Sequence, residues 1–378
     1  MKHQLEKLIK HSKSGKEIFQ PSFYRLSDPA GLTAFKKLIT EVPGINVFDE
    51  IIGQVEEYVK SANPKIVFSK SDLTEAAKKH IGSTPYEEYG VWVYYPWSKR
   101  LVHILDEKEF VEVRTNRNMY KITPQEKAIL ATKRIGVIGL SVGQSVAVTI
   151  AMERSCRELR LADYDILELS NYNRIRTGLH NLNLPKVISV AREIAEIDPF
   201  LKVNCYHEGI TEENINDFLV KDGKLDILVD ECDGLYIKIL CRQKAKEYGI
   251  PVVMEASDRG TIDVERFDLE PMRPILHGFI DHLDINKVKT AKTFEEKIPY
   301  VLSIAGDETL SHRLKASMLE INKSITTWPQ LASAVTLGGG ITADVSRRIM
   351  LNLFHASGRY FVDIEEIIND TKSPNESS

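Results

Sequence analysis

The sequence predicts an α/β chain: an open, doubly wound, mostly parallel sheet with helices on both faces, preceded by a small α+β accessory domain. Three observations carry this expectation. From about residue 130, short apolar runs alternate with amphipathic stretches, the texture of strands joined by crossover helices. The first of those runs climbs through a glycine turn straight into another apolar stretch, "RIGVIGLSVGQSVA" at 134–147. Before residue 120, aromatic and β-branched residues alternate with polar ones between turn signals.

In chain order, the first thirty residues are polar and are expected to be loosely ordered. Residues 31–80 carry helical patterns broken at "VPG" and "SANP". "YGVWVYYPWSKRLVHILDEKEFVEVR" reads as strands joined by tight turns at "PWSKR" and "DEKE". Five candidate strands follow: "RIGVIGL", "LRLADY", "LKVNCYHEG", "LDILVDE" and "PVVMEAS". Between them, "PKVISVAREIAEI" places Val187, Val190, Ala191, Ile194 and Ile197 on one helical face, with Pro185 at the first turn. "LYIKILCRQKAKEYG" is a second amphipathic helix closed by Gly249. "GGGITADVSRRIMLNLF" reads as a closing helix, and "NDTKSPNESS" as a disordered tail. The expected division is 1–120, 121–368 and a tail at 369–378.

Composition narrows the function classes. The 378 residues are 43% hydrophobic, enough for a substantial core. A formal charge of −4 argues against a nucleic-acid binder, which needs a basic surface for the phosphate backbone. No apolar run approaches bilayer length, and the N-terminal stretch lacks the apolar centre of a signal peptide. Cys156, Cys205, Cys232 and Cys241 form no C-x-x-C pair, so neither a disulfide framework nor a four-cysteine zinc site is expected. The expectation is a soluble, cytoplasmic, enzyme-sized protein with no membrane partner.

The chemistry-bearing residues gather at the ends of the candidate strands, where ligands bind in such sheets. Gly139 closes the first strand, and Gly143 and Ser145 fall where a helix would start. Small residues there let backbone N–H groups reach an anionic ligand, although a plain tight turn fits equally well. The dinucleotide fingerprint is not met, because its second and third glycines would fall on Ser141 and Gln144. Asp163 lies twenty-four positions after Gly139, near the spacing at which a carboxylate accepts a ribose hydroxyl. Alternatively it is a turn aspartate, a role that Asp165 would also fill. In "SNYNRIR", Asn171, Asn173 and Arg174 supply amides and a guanidinium suited to phosphate oxygens. Lys186 stands at a helix N-terminus, where the dipole disfavours a cation, so it either faces an anionic ligand or is a solvated lysine. "LVDECDG" ends a strand with Asp230, Glu231 and Asp233, carboxylates suited to a magnesium ion on nucleotide phosphates; Asp233 as a helix cap is the competing reading. Cys232 reads as a small core residue rather than a nucleophile. Hydride transfer needs neither a magnesium site nor paired cations on a triphosphate, whereas nucleotidyl transfer needs both.

The order of these motifs resembles the ThiF/MoeB/HesA family, relatives of the ubiquitin-activating enzymes. The resemblance rests on "GLSVGQS", Asp163 in "ADYD", "SNYNR", "PKV" and Asp233 over roughly 114–256. It implies a Rossmann-like sheet, binding of ATP and Mg2+, and adenylation of a substrate carboxylate with release of pyrophosphate. By it, Gly139, Ser141, Gly143, Asp163, Asn171, Arg174 and Lys186 contact the nucleotide, and Asp233 holds the metal. It also implies a homodimer in which an arginine upstream of the loop enters the partner's site; "RTNRN" makes Arg117 the first candidate and Arg114 the second. "YYPWSKRLVH", "DRGTIDVERFDLEP" and "TWPQLASAVTLGGG" resemble a ThiF subgroup often fused to a nitroreductase-like domain. Within these 378 residues no such domain is expected, which leaves a separate flavoprotein as a candidate partner.

The glycine loop is one residue shorter than the family's usual form, the zinc-binding cysteine pairs are absent, and no cysteine follows Cys241. Adenylation of a peptide, small-protein or other carboxylate without an enzyme thioester is therefore the leading expectation. An NAD- or flavin-linked oxidoreductase, or a nucleotide-binding scaffold for a flavoenzyme, is the alternative. Asp258, Arg259, Asp263 and Arg266 form either a substrate contact or an internal ion-pair network. The aromatic hairpin of the accessory domain is expected to offer an edge for an added peptide strand.

Overall fold

The aromatic stretch around residues 91–104 forms the middle of a four-stranded sheet. In this computed structural model, which describes residues 15–291 and 293–370, the chain divides into two compact units. One runs up to Lys127 and takes in Ala191–Leu201; the other comprises Ala128–Val190 and the chain from Lys202 onward. The first fourteen residues and the end of the expected tail, 371–378, lie outside the described residues.

In the N-terminal unit, β1 (Ser22–Tyr24), β2 (Asn46–Asp49), β3 (Val91–Tyr95) and β4 (Arg100–Ile104) take the order β1-β3-β4-β2. All five residues of β3 are buried. Val91, Val93 and Tyr95 feed one apolar cluster while Trp92 and Tyr94 feed another, so both faces of the sheet are covered. Lys99, with φ of 52°, makes the turn between β3 and β4. Two expectations fail here. "DEKEFVEVR" is no turn into a strand: Asp106 accepts the Glu107 amide and opens a helix over Glu107–Arg114, a strong capping arrangement that outweighs the alternating pattern. The hairpin also has no free edge for a peptide, because β1 pairs with β3 and β2 with β4.

The larger unit holds β5 (Arg134–Ile138), β6 (Glu158–Ala162), β7 (Lys202–Tyr206), β8 (Ile227–Asp230), β9 (Val252–Ala256), β10 (Thr261–Glu265) and β11 (Gly358–Phe361). Their order is β11-β10-β9-β8-β5-β6-β7. Strands β5 to β9 are parallel where they pair; β10 and β11 add an antiparallel margin. The five expected strands are all present, and the expected doubly wound, Rossmann-like architecture holds. Strand order reverses at β5, with β6 on one side and β8 on the other. A crevice thus opens at the carboxyl ends of β5 and β8, the switch point where such sheets bind ligands.

Helices Gly143–Glu153, Lys186–Ile197 and Leu235–Glu247 follow β5, β6 and β8. Val187, Val190, Ala191 and Ile194 are buried as the periodicity requires, while Ile197 is only partly so. Gly249, at φ +59°, stops the helix that begins at Leu235. The helix Ala332–Met350 is not the closing element expected of it, because β11 and a short helix, Ile364–Ile367, follow it. Gly339 brings it close to the first turn of Gly143–Glu153: a methyl group there would stand 2.3 Å from Ser145 Oγ. Among the described residues, no helix is long and apolar enough to cross a membrane.

Candidate active site

The glycine turn after β5 is built by close backbone packing. Gly139 has φ of +83°, and a side chain there would meet the Glu231–Cys232 peptide at 2.6 Å. Only glycine fits both requirements. Helix Gly143–Glu153 then begins at Val142 with no side-chain cap; the Ser145 amide is taken by Val142 O at 3.0 Å, and the positive end of the helix favours an anion at this turn. Gln144, standing where a dinucleotide loop would have its third glycine, is buried. Its side-chain amide donates to Arg176 O at 2.6 Å and accepts from Arg176 N at 2.9 Å, fastening the loop helix to the segment after β6. Sequence reading passed over this role, since a buried glutamine has no spacing signature.

The segment after β6 supplies the polar side of the rim. Asp163 is 8% exposed; Oδ2 accepts the Leu140 amide at 2.6 Å and Oδ1 the Asp165 amide at 2.7 Å. Burial pushes this carboxyl above its ordinary value, opposed by the Leu140 amide and the Lys186 ammonium. Each oxygen retains a lone pair for a further donor. Asn171 Oδ1 accepts the Glu168 amide at 3.0 Å and closes the turn Leu169–Asn173, so its Nδ2 is the group left to donate. Asn173 donates to Gln330 O at 2.8 Å. Arg174 Nε donates to Ser141 Oγ at 2.9 Å, joining this segment to the glycine loop. Burial holds the Arg174 guanidinium below its usual value, with the charge of Asp233 acting in the opposite direction. Lys186 is 6% exposed and pairs with the half-exposed Asp165 at 2.9 Å.

The three acids after β8 have separate fates. Asp230 is fully buried and pairs with Lys238 at 2.9 Å and with Arg242. Burial alone would raise its carboxyl, but these two cations hold it well below the ordinary range. Arg242 also pairs with Glu265. Asp230 is thereby spent on the core and is no metal ligand, contrary to one expectation. Asp233 is exposed at the rim and makes no hydrogen bond or ion pair among the described residues. The helix after it is capped at Gly234 with no side-chain bond, so Asp233 is not a cap. Cys232 donates its thiol to Asp230 Oδ1 at 2.9 Å, and burial pushes that thiol well above its usual value, which makes it a poor nucleophile.

Glu231, Cys232, Asp233 and Glu255 line a cavity of about 260 Å³ that is walled on another side by Trp328 and Gln330. Burial pushes the Glu231 carboxyl well above its ordinary value, and that of Glu255 up to about 8. Glu255 was not singled out by the sequence reading; an acid inside the apolar run "VVMEA" was the available signal. Asp258, Arg259, Asp263 and Arg266 form internal ties rather than a free substrate patch. Arg259 pairs with Asp363, Asp263 with Arg359 and Arg266 with Asp268, while Asp258 holds Ser311.

The upstream arginines belong to the N-terminal unit and differ sharply. Arg114 pairs with the buried Asp198 at 2.7 Å. Arg117 sits in the turn Asn116–Asn118, exposed and without an ion pair among the described residues.

Comparison with known proteins agrees with this architecture. The ThiF family profile matches residues 114–308. An uncharacterized Mycobacterium tuberculosis protein, MT1398, is 43% identical over 288 residues, 76% of this chain and 40% of that protein. This chain therefore spans well under half of that relative's length. A molybdopterin-synthase adenylyltransferase of Haemophilus influenzae is 26% identical over 170 residues, 43% of this chain and 67% of that protein. Among solved structures, PaaA shares the fold with a TM-score of 0.50 at 19% identity, covering 69% of this chain and 81% of that one. With the family match extending over half of its length, the chain belongs to the ThiF family.

Proposed function

We propose that this chain is an ATP- and Mg2+-dependent adenylyltransferase that activates a substrate carboxylate as an acyl-adenylate. The observation that carries this reading is the meeting of Arg174, Ser141 and the uncapped start of helix Gly143–Glu153 at one rim, with the unpaired Asp233 beside Arg174. The Haemophilus relative, an adenylyltransferase by name, supports the nucleotidyl-transfer class.

In this reading Gly139, Ser141 and Gly143 present backbone to the phosphates, and Asp163 accepts a ribose hydroxyl. Arg174, Lys186 and Asn171 face phosphate oxygens, with Lys186 turning from Asp165 to do so. A single exposed carboxylate suits Mg2+, which keeps its waters and takes further oxygens from nucleotide phosphates. Asp233 fits that requirement, and among the described residues no cluster of three or more metal-ligating side chains exists as an alternative. When bound, the ion would neutralise charge on the departing phosphates. A substrate carboxylate oxygen forms a bond to the α-phosphorus as its bond to the bridging oxygen breaks, and pyrophosphate leaves with the electron pair. The cations at the rim stabilise the negative charge that grows on that leaving group. No enzyme thioester forms; the elevated thiols support this, burial holding Cys205 up to about 12. A second protomer supplies Arg117, and the enzyme works in the cytoplasm.

Calorimetric titration tests the reading. ATP with Mg2+ is expected to bind, NAD is not, and Arg174→Ala is expected to weaken the ATP complex at least tenfold. Binding of NAD without magnesium, with no response to ATP, would replace this reading by the oxidoreductase one.

A further inference from the structure

The cavity at the ends of β8 and β9 holds a group that nucleotidyl transfer does not use. Glu255 is 5% exposed, lines the cavity, and neither of its carboxyl oxygens has a hydrogen-bond partner among the described residues. Glu231, buried next to it, accepts the Glu255 backbone amide at 3.1 Å. Two cations line the same cavity, and both are committed to other acids: Lys238 to Asp230 at 2.9 Å, from where its charge also opposes the rise of the Glu231 carboxyl, and Arg359 to Asp263 at 2.6 Å. Gly338 of the helix Ala332–Met350 leaves the room that Glu255 occupies, since a side chain there would stand 2.3 Å from its carboxyl carbon. Burying an unsatisfied carboxyl is costly, and the elevated Glu255 carboxyl, near 8, is the electrostatic mark of that cost. The remaining wall is largely apolar, with Leu310 and Trp328 among its residues.

We propose that this cavity receives the ammonium group of a substrate between Glu255 and Glu231, with an apolar stem lying along Leu310 and Trp328. A hard metal cation is a poorer occupant here than at the exposed Asp233, since it keeps a shell of waters that a largely apolar wall does not satisfy. An anionic group would meet Glu231, Asp233 and Glu255, while Lys238 and Arg359 in the same wall are already paired with Asp230 and Asp263. Because Asp233 lines the same cavity, the ammonium would stand next to the adenylation centre, a placement that rests on the function proposed above. The amine then belongs either to the molecule whose carboxylate is activated or to the acceptor of the activated acyl group.

Binding of n-pentylamine, 1-pentanol and pentanoate to the full-length protein, measured by calorimetry without nucleotide, tests the pocket apart from the reaction. The amine is expected to bind at least tenfold more tightly than the alcohol, and pentanoate not at all. Glu255→Gln should lower amine affinity at least tenfold and leave the alcohol unchanged. Trp328→Ala should weaken amine and alcohol alike. A single cooperative unfolding transition for each variant shows that it folds. Equal binding of amine and alcohol, or an amine affinity indifferent to Glu255→Gln, overturns the proposal, as does a Glu255-dependent response to Mg2+ or Ca2+ in place of amines. ATP–pyrophosphate exchange then separates the two sources. Exchange with 5-aminopentanoate but not pentanoate assigns the amine to the donor. Amine binding retained while both acids fail to support exchange assigns it to the acceptor. Amine binding in a protein that binds no ATP overturns the adenylation reading and leaves the pocket standing.

Discussion

Arg174 Nε donates to Ser141 Oγ at 2.9 Å, fixing a guanidinium over the start of an uncapped helix. A lysine in its place would keep the charge and lose the planar fork that meets two oxygens together. Arg174→Lys is expected to lower kcat/KM for ATP–pyrophosphate exchange by about 10- to 100-fold. Ser141→Ala, which removes only the tether, should have a smaller effect. Equal losses in the two variants would mean that Arg174 serves the loop rather than the phosphates.

Asp233 and Arg117 lie in different units of the chain and are proposed to act in one site through two protomers. Asp233→Ala and Arg117→Ala should each abolish or strongly reduce exchange. Mixing the two inactive proteins after reversible dissociation should restore part of the activity, because some mixed dimers carry one intact site. Failure of the mixture to recover, with mixed dimers demonstrated, would place Arg117 outside the reaction.

Asp230, Arg242 and Glu265 form a fully buried chain of charges. Arg242→Met leaves two carboxylates in the core with only Lys238 nearby, and should destabilise the protein by about 3–5 kcal/mol, read from urea unfolding. Lys221→Met, at the exposed pair with Asp217, should leave the transition where it is.

The Glu255 carboxyl gives a pH dependence of definite sign. In the unfolded chain a glutamate titrates near 4.3, whereas burial lifts it to about 8 in the folded protein. Between those values the native chain holds a proton that the unfolded chain has released, so this group's contribution falls as pH rises. Its stability is fully present below the unfolded value and is lost as pH passes through the folded one. Glu255→Gln should flatten the decline between about pH 5 and pH 8 and unfold at higher denaturant than the parent at the alkaline end. Parallel profiles for parent and variant would show that the buried carboxyl does not titrate this way.

Much of the large sheet was legible because parallel strands buried on both faces read as unbroken apolar runs. Strands β10 and β11 escaped notice: "TIDVE" carries two acids and "GRYF" is four residues long. Their charged residues are neutralised by partners far along the chain, such as Arg359 on Asp263, which no local pattern reveals. The helix at Glu107 was misread because "EFVEV" alternates like a strand, while the Asp106 cap decides the outcome. At the site, Arg174, Lys186 and Asp233 stood out because cations and acids at strand ends are unusual enough to question. Asp165 as the partner of Lys186 and Gln144 as a backbone clamp are tertiary facts. Glu255 was hidden for a related reason, since the glycine that accommodates it, Gly338, lies on another element more than eighty residues away.

The pairing of β10 with β11 has a consequence for how the chain reaches its final state. Thr261 pairs with Phe361 across a hundred residues, so the outer row of β10 amides and carbonyls has no strand beside it until Gly358–Phe361 has been made. An open strand edge is a template for pairing with other molecules, and contacts this distant in sequence are slow to close. During synthesis β5 to β9 can assemble while β10 waits, leaving that margin as the segment most in need of protection from self-association.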